Sequence, residues 1–344
     1  VSPVRIAVIG AGHLGRIHAR LLKGLHEFHV VAVSDPAESA RQCVQQTLQL
    51  PTISDYRTLA GSIEAVVIAS PTTLHFSMAH WALSHGIHAL VEKPLVKFSS
   101  DATALVELAR NKQCTLQVGH VERFNPAWQT IRPKIDQPQW VDACRIGTYT
   151  GRSTDIGVVL DLMIHDIDLL LSLSPGRIES IRATGRALLG QHEDVAEARI
   201  EFSSGCVANL RASRIARDSL RRMQVHGLSG IANIDLGAAT AEWTEFAPEV
   251  ASRRLQADVL PEDERLRVKD ELFSRWLPTS SLPVTPVNAI EQELRDFAMA
   301  IRSGANPQVT GQQARDAIFV AEQILASIGQ AASQAAVTSM RHAA

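Results

Sequence analysis

Three short stretches carry residues whose types and spacing suit chemistry. VEKPLV, residues 91–96, places Lys93 and Pro94 where the apolar run HALV (88–91) ends. A lysine amine at the mouth of a buried strand, aimed by a stiff proline, favours a developing alkoxide through its charge and a hydrogen bond. Desolvation lowers the pKa of such an amine toward the range of proton transfer. DLMIHDID, residues 161–168, sets Asp161 and His165 four residues apart, on one face of a helix. Histidine is the natural base for a hydroxyl proton near neutral pH, and Asp161 would hold its tautomer or bind a substrate hydroxyl. GAGHLG, residues 10–15, is a complete G-x-G-x-x-G. Gly10 suits the tight turn, Gly12 the approach of a pyrophosphate, and Gly15 close helix–strand packing, with His13 and Leu14 between them at a helix N-terminus facing the phosphates. Asp35 lies about 20 residues on, where a carboxylate bonds the adenosine ribose hydroxyls and repels a 2′-phosphate. That pattern selects NAD, with NADP less favoured.

Smaller sets flank these three. ASPTTLH (69–75) supplies Ser70, Pro71, Thr72 and His75, a rigid loop with hydroxyls on the nicotinamide side, and Glu92 joins Lys93 in the same cofactor-lining group. VGHVERFNP (118–126) supplies His120, Glu122, Arg123 and Asn125, a hydrogen-bonding set at the expected domain junction in which Arg123 suits a phosphate. Lys93, Asp161 and His165 complete the expected substrate contacts. Arg214, Arg217, Arg221 and Arg222 would add diphosphate contacts, although such a cluster is more often a solvated face.

The elements that must position these residues fall into two rhythms. Apolar runs at 5–9, 30–33, 65–69, 88–91 and 115–118 alternate with helical patterns at 17–25, 39–48, 74–85 and 100–111. Continuous apolar strands joined by helices make a parallel sheet covered on both faces. Ligands bind outside the carboxyl ends of such strands. After about residue 120 a helical stretch (160–173) precedes alternating runs at 178–186, 196–202, 207–213, 222–226 and 231–236, with SSG (203–205) as a hairpin turn. The expectation is an N-terminal α/β Rossmann domain over 1–120 and a C-terminal α+β domain over 121–344, built on a mainly antiparallel open sheet for substrate binding and oligomerisation. Residues 248–286, rich in charge and proline, read as a long excursion. Helices at 288–303 and 311–330, the second capped by Thr310, close the chain, and the Ala/Ser-rich tail beyond 331 is expected to fray.

The 344 residues suffice for two ordinary cores. Apolar residues make up 45%, charged residues 20%, and the net charge is -2, so no basic field recruits nucleic acid or an anionic membrane. No apolar run approaches the roughly 18 residues of a spanning helix. Cys43, Cys114, Cys144 and Cys206 are far apart, which argues against a metal site and against a disulfide framework. VSP leads straight into RIAVIG without the features of a signal peptide, so a cytoplasmic location is expected.

In their order and spacing, GAGHLG, EKP (92–94) and D-x-x-x-H (161–165) resemble the Gfo/Idh/MocA family of NAD(P)-dependent sugar and polyol dehydrogenases over nearly the whole chain. The resemblance implies that Lys93, Asp161 and His165 serve catalysis. VGHVERFNP is similar to the same run in members that oxidise UDP-N-acetylhexosamines, which implies a nucleotide-sugar substrate and a 3-keto product. A free sugar or myo-inositol-type polyol is the second reading, and a non-catalytic NAD-binding regulator of the same fold the third. The joint presence of Lys93 and His165 favours an enzyme, since a sensor has no need of both. Family members commonly associate through the second-domain sheet, implying a homodimer or homotetramer. Residues 240–286 have no counterpart in the resemblance.

Overall fold

The computed structural model describes residues 2–151 and 155–342, with side chains as far as Ala331. It divides into two compact units, Val1–Phe124 with Asn288–Glu322, and Asn125–Val287 with Gln323–Ala344.

The first unit is built on strands β1 (Val4–Ile9), β2 (Phe28–Ser34), β3 (Thr52–Ile53), β4 (Ala65–Ile68), β5 (His88–Glu92) and β6 (Leu116–Gly119). All pair in parallel, in the order β3-β2-β1-β4-β5-β6. Every residue of β4 and β6 is buried, which is why these runs read as continuously apolar instead of alternating. The crossovers are helices α1 (His13–Gly24), α2 (Glu38–Leu48), α3 (Thr72–Ser84) and α4 (Ser99–Asn111). The chain order reverses at β1, which lies between β2 and β4, and this opens a crevice at the carboxyl ends. Lys93 and Pro94 follow β5 directly, joined by a cis peptide bond.

The second unit carries helix α5 (Pro126–Ile131), strand β7 (Trp140–Ile146), helix α6 (Ile164–Ser172), strands β8 (Ile178–Arg186), β9 (Val195–Phe202), β10 (Val207–Ser213), β11 (Leu220–His226), β12 (Gly230–Asp235) and β13 (Thr240–Glu245), helices α7 (Pro248–Ala251) and α8 (Glu262–Asp270), and strand β14 (Thr279–Ser281). The sheet order is β14-β13-β12-β11-β7-β10-β9-β8. Only the central pair β7–β10 is parallel. Strand residues alternate between a face covered by α5 and α6 and an open face. That open face is polar, with Asp142, Arg211, Arg222, Gln224 and Glu242 around a depression of about 900 Å³.

Helix α9 (Ala289–Ser303) departs from the expected domain division. It belongs to the first unit, where Leu294, Phe297 and Ala298 pack into the same core as Ile6, Val8, Val67 and Leu90. Asn288 caps it by accepting from the Ile290 and Glu291 N–H groups. Helix α10 (Gly311–His342) starts where Thr310 accepts from Gln313 N–H at 3.2 Å, and its backbone runs on past 330, where the sequence pattern ends. Among the described residues no helix is long and apolar enough to cross a membrane, and no cluster of three or more His, Cys, Asp or Glu would hold a metal ion.

Candidate active site

In the first unit the glycine loop shows a division of labour. Gly10 has φ +104°, and a Cβ there would lie 2.4 Å from the Ala69 carbonyl oxygen. A Cβ on Gly15 would lie 1.9 Å from the Gly10 carbonyl oxygen, so α1 closes on the loop only because both are glycine. Gly12 is different, since a Cβ there would meet nothing within 4 Å. The protein itself has no use for that missing side chain, and the space suits an incoming pyrophosphate. Gly12 caps α1 without a side-chain bond, which leaves the first-turn N–H groups to a ligand, and His13 and Leu14 are exposed beside them.

Asp35 closes the loop from the end of β2. Its carboxylate accepts from Ala11 N–H at 2.8 Å and from Ala37 N–H at 2.9 Å. Arg41 donates to the Asp35 and Pro36 carbonyl oxygens at 2.8 Å each, which fixes this corner. Two carboxylate oxygens carry about four acceptor positions, so capacity remains for ribose hydroxyls.

The ends of β4 and β5 hold the other expected cofactor residues. Ser70 and Thr72 are half-buried and Pro71 is exposed. His75 is buried, with Nδ1 2.9 Å from the Pro94 carbonyl oxygen and Nε2 2.9 Å from the Ser70 carbonyl oxygen. Lys93 is half-buried. Glu92 turns inward, accepting from His18 Nε2 on α1 at 2.6 Å. Burial pushes the Glu92 carboxyl up, but the hydrogen bond from His18 and charge on His18, Lys93 and His75 outweigh it and hold the group below the usual range. Glu293 on α9 is also buried, and burial, with the Glu92 and Asp296 charges, raises its carboxyl well above the usual range. Burial thus meets opposite outcomes in these two acids, the Glu92 carboxyl held low by its partners and the Glu293 carboxyl pushed up. Sequence reading missed His18 and Glu293, because 74 residues separate His18 from Glu92 and nothing local marks either.

His120, Glu122 and Arg123 are all buried; Glu122 and Arg123 lie on a single turn of 3-10 helix, Val121–Phe124, that packs on α9, and His120 directly precedes it. The Arg123 carbonyl accepts from Gln308 Nε2 at 2.9 Å.

In the second unit Asn125 caps α5, accepting from Ala127 N–H at 3.0 Å while its Nδ2 donates to the Leu236 carbonyl at 2.9 Å. Its signal was a cap signal, Asn before Pro. Asp161 and His165 do not sit on one regular helix. A π-helical turn, Val159–Met163, runs into α6, so Asp161 lies in the turn and His165 in the helix. At about 4.4 residues per π turn, four residues still bring the two side chains to one side. Both are half-buried, while Met163, Ile164, Asp166, Ile167 and Asp168 are buried.

Two buried ion pairs brace this region. Arg145 on β7 donates to Asp166 on α6, with Nη2–Oδ1 at 2.8 Å. Arg214 donates through Nε to Asp194 at 2.6 Å and through Nη1 to the Ile156 carbonyl at 3.0 Å. Arg214 is therefore neither a solvated charge nor a diphosphate ligand but a brace for the loop preceding the turn. Arg222 pairs with Asp235 at 2.9 Å.

Residues 4–120 match the oxidoreductase family with an NAD-binding Rossmann fold, and residues 129–233 match the GFO/IDH/MocA C-terminal domain. The chain belongs to the Gfo/Idh/MocA oxidoreductase family. It is 36% identical over 233 residues to UDP-N-acetylglucosamine 3-dehydrogenase of Acidithiobacillus ferrooxidans, covering 67% of this chain and 74% of that protein. It is 32% identical over 333 residues to the NAD(+)-dependent scyllo-inositol 2-dehydrogenase of Bacillus subtilis, covering 89% of each. The solved structure of the Acidithiobacillus enzyme superposes with a TM-score of 0.82 at 28% identity, over 95% of this chain and 98% of that one. As a Gfo/Idh/MocA oxidoreductase the chain takes NAD, and the open space over Gly12, the uncapped N–H groups of α1 and the Asp35 carboxylate fit that cofactor.

Proposed function

We propose that this Gfo/Idh/MocA oxidoreductase oxidises the 3-hydroxyl of a UDP-N-acetylhexosamine to a ketone. NAD, when bound, would supply the hydride acceptor. Gly10, Gly12, Gly15 and Asp35, with His13, Leu14 and the Ser70–Thr72 loop, hold the cofactor. His165 takes the hydroxyl proton through its imidazole, Asp161 orients that ring and the sugar, and Lys93 stabilises the alkoxide as charge develops. His120, Glu122 and Arg123 serve the substrate from the turn after β6. Asn125 is left out of that set because it caps α5. The observation that carries the reading is the pair Asp161 and His165, both half-buried on a largely buried helix start, and a half-buried lysine at the carboxyl end of the NAD-binding sheet. Likeness to the Acidithiobacillus enzyme favours the nucleotide sugar.

A second reading has its own support. The scyllo-inositol dehydrogenase matches over more of its length, 89% against 74%, which favours a free polyol. The test is formation of reduced nicotinamide with NAD and a panel of UDP-N-acetylhexosamines and polyols, with mass detection of the keto product because its formation can be uphill. Turnover with UDP-sugars alone supports the first reading, and turnover with polyols alone replaces it with the second. From the family resemblance we also propose a homodimer or homotetramer acting in the cytoplasm.

A further inference from the structure

His75 is 1% exposed, at the start of α3, and both ring nitrogens lie 2.9 Å from backbone carbonyl oxygens. A carbonyl oxygen only accepts. A neutral imidazole has one N–H and one lone pair, so it satisfies one of these two contacts and points a lone pair at the other oxygen. Both contacts are attractive only when both nitrogens carry protons. The carbonyls belong to Ser70, after β4, and to Pro94, the residue after Lys93.

We propose that His75 is a buried imidazolium that ties the loop after β4 to the Lys93–Pro94 turn, acting as a positioning residue that fixes the direction of the Lys93 amine. A buried cation requires compensation. Here it is supplied by the two carbonyl dipoles and by the Glu92 carboxyl, which is held below its usual range, two residues before Pro94 and on the strand against which α3 packs. Titratable groups on the elements around this corner include Lys93 next to Pro94, His18 beyond Glu92 on α1, and Asp101, Glu107 and Arg110 on α4, which packs on α3. Loss of the second ring proton turns one of the two bonds into a repulsion and releases one of the two loops. The ring thus has no polar atom left over for the cofactor, and its part in the site is to hold what touches the substrate. The kinetic consequence rests on the dehydrogenase reading above, whereas the charge state does not.

The test has two arms. In the first, wild-type protein carrying nitrogen-15 histidine is examined by NMR without cofactor, with the signals of His75 assigned among the 13 histidines by comparison with His75→Gln. Two ring N–H signals at neutral pH, both nitrogens shifted to the protonated range, are expected. One nitrogen in the lone-pair range at neutral or mildly acid pH overturns the proposal. In the second arm, kcat is followed against pH. The wild-type kcat is expected to fall on the alkaline side in step with the NMR titration of His75, while the NAD dissociation constant stays within about twofold. His75→Phe is expected to lose about tenfold or more of kcat, as small misplacements of catalytic groups do, with NAD affinity again nearly unchanged. Normal kcat and an unaltered pH profile in His75→Phe overturn the positioning role. If that variant does not fold, the wild-type comparison of NMR and pH profile decides alone. A protein inactive on every substrate tried but with a doubly protonated His75 refutes the functional reading and leaves the clamp standing.

Discussion

Replacing Arg145 with methionine should destabilise the second unit far more than an ordinary surface change. The Asp166 carboxylate is 2% exposed and the Arg145 side chain 4% exposed, and they meet through Nη2–Oδ1 at 2.8 Å and Nε–Oδ1 and Nε–Oδ2 at 3.2 Å. Arg145→Met leaves that carboxylate buried without its cation, a change that costs about 3–5 kcal/mol. A loss of that size lowers the melting temperature of a domain of 150–250 residues by roughly 6–20 °C, at about 2–4 °C per kcal/mol. Asp166→Leu strands the guanidinium instead and should cost a similar amount. The double variant Arg145→Met, Asp166→Leu removes both charges and fills the space with apolar volume, so it should be more stable than either single variant. Calorimetry of the four proteins at neutral pH gives the cycle directly. A loss under about 1 kcal/mol for Arg145→Met, or a double variant no better than the worse single one, would refute the argument that this pair is a dry and mutually dependent ion pair. The effect reaches the site because Asp166 is the residue after His165.

Four further outcomes follow from the geometry. Gly12→Ala should melt like wild type, because its Cβ meets nothing within 4 Å, yet weaken NAD at least about tenfold, or 1.4 kcal/mol, in a titration. Gly15→Ala, whose Cβ would lie 1.9 Å from the Gly10 carbonyl oxygen, should lose both stability and NAD binding. Asp194 gives an acid limb to stability: burial raises its carboxyl, but bonds from the Leu189 and Leu188 N–H groups and from Arg214 outweigh that and hold it below the usual range. The unfolded chain then binds the proton more readily, so this stability is present above the unfolded pKa and is lost as pH falls through the folded one. Acid melts of Asp194→Asn should lack that slope. Lys93→Met and His165→Ala should each abolish turnover while leaving NAD affinity within about threefold, and retained activity in both would discard the assigned roles.

Much of the molecule is legible before any coordinates. Glycines at 10, 12 and 15 and the acid at 35 carry their reasons locally, because a turn, a close approach and a strand end are short-range events. The runs at 178–186 and 207–213 match β8 and β10 as read, since strands with one buried face alternate. Strand β7 escaped because its third inward residue is Arg145, where the pattern calls for an apolar one. Strand β14, three exposed polar residues, has no periodicity to read.

The sequence by itself determined the two fold classes, the cofactor loop and the types of residue available for chemistry, because periodicity and glycine conformation act over a few residues. Only the tertiary structure decided how those residues are held. It paired His18 with Glu92, Arg145 with Asp166 and Arg214 with Asp194. It also put α9 into the first core and gave His75 two carbonyls to bond. All but the His75–Ser70 contact join segments distant in the chain. A buried charge is stable only beside its partner, and one-dimensional spacing does not reveal which partner folding brings to it.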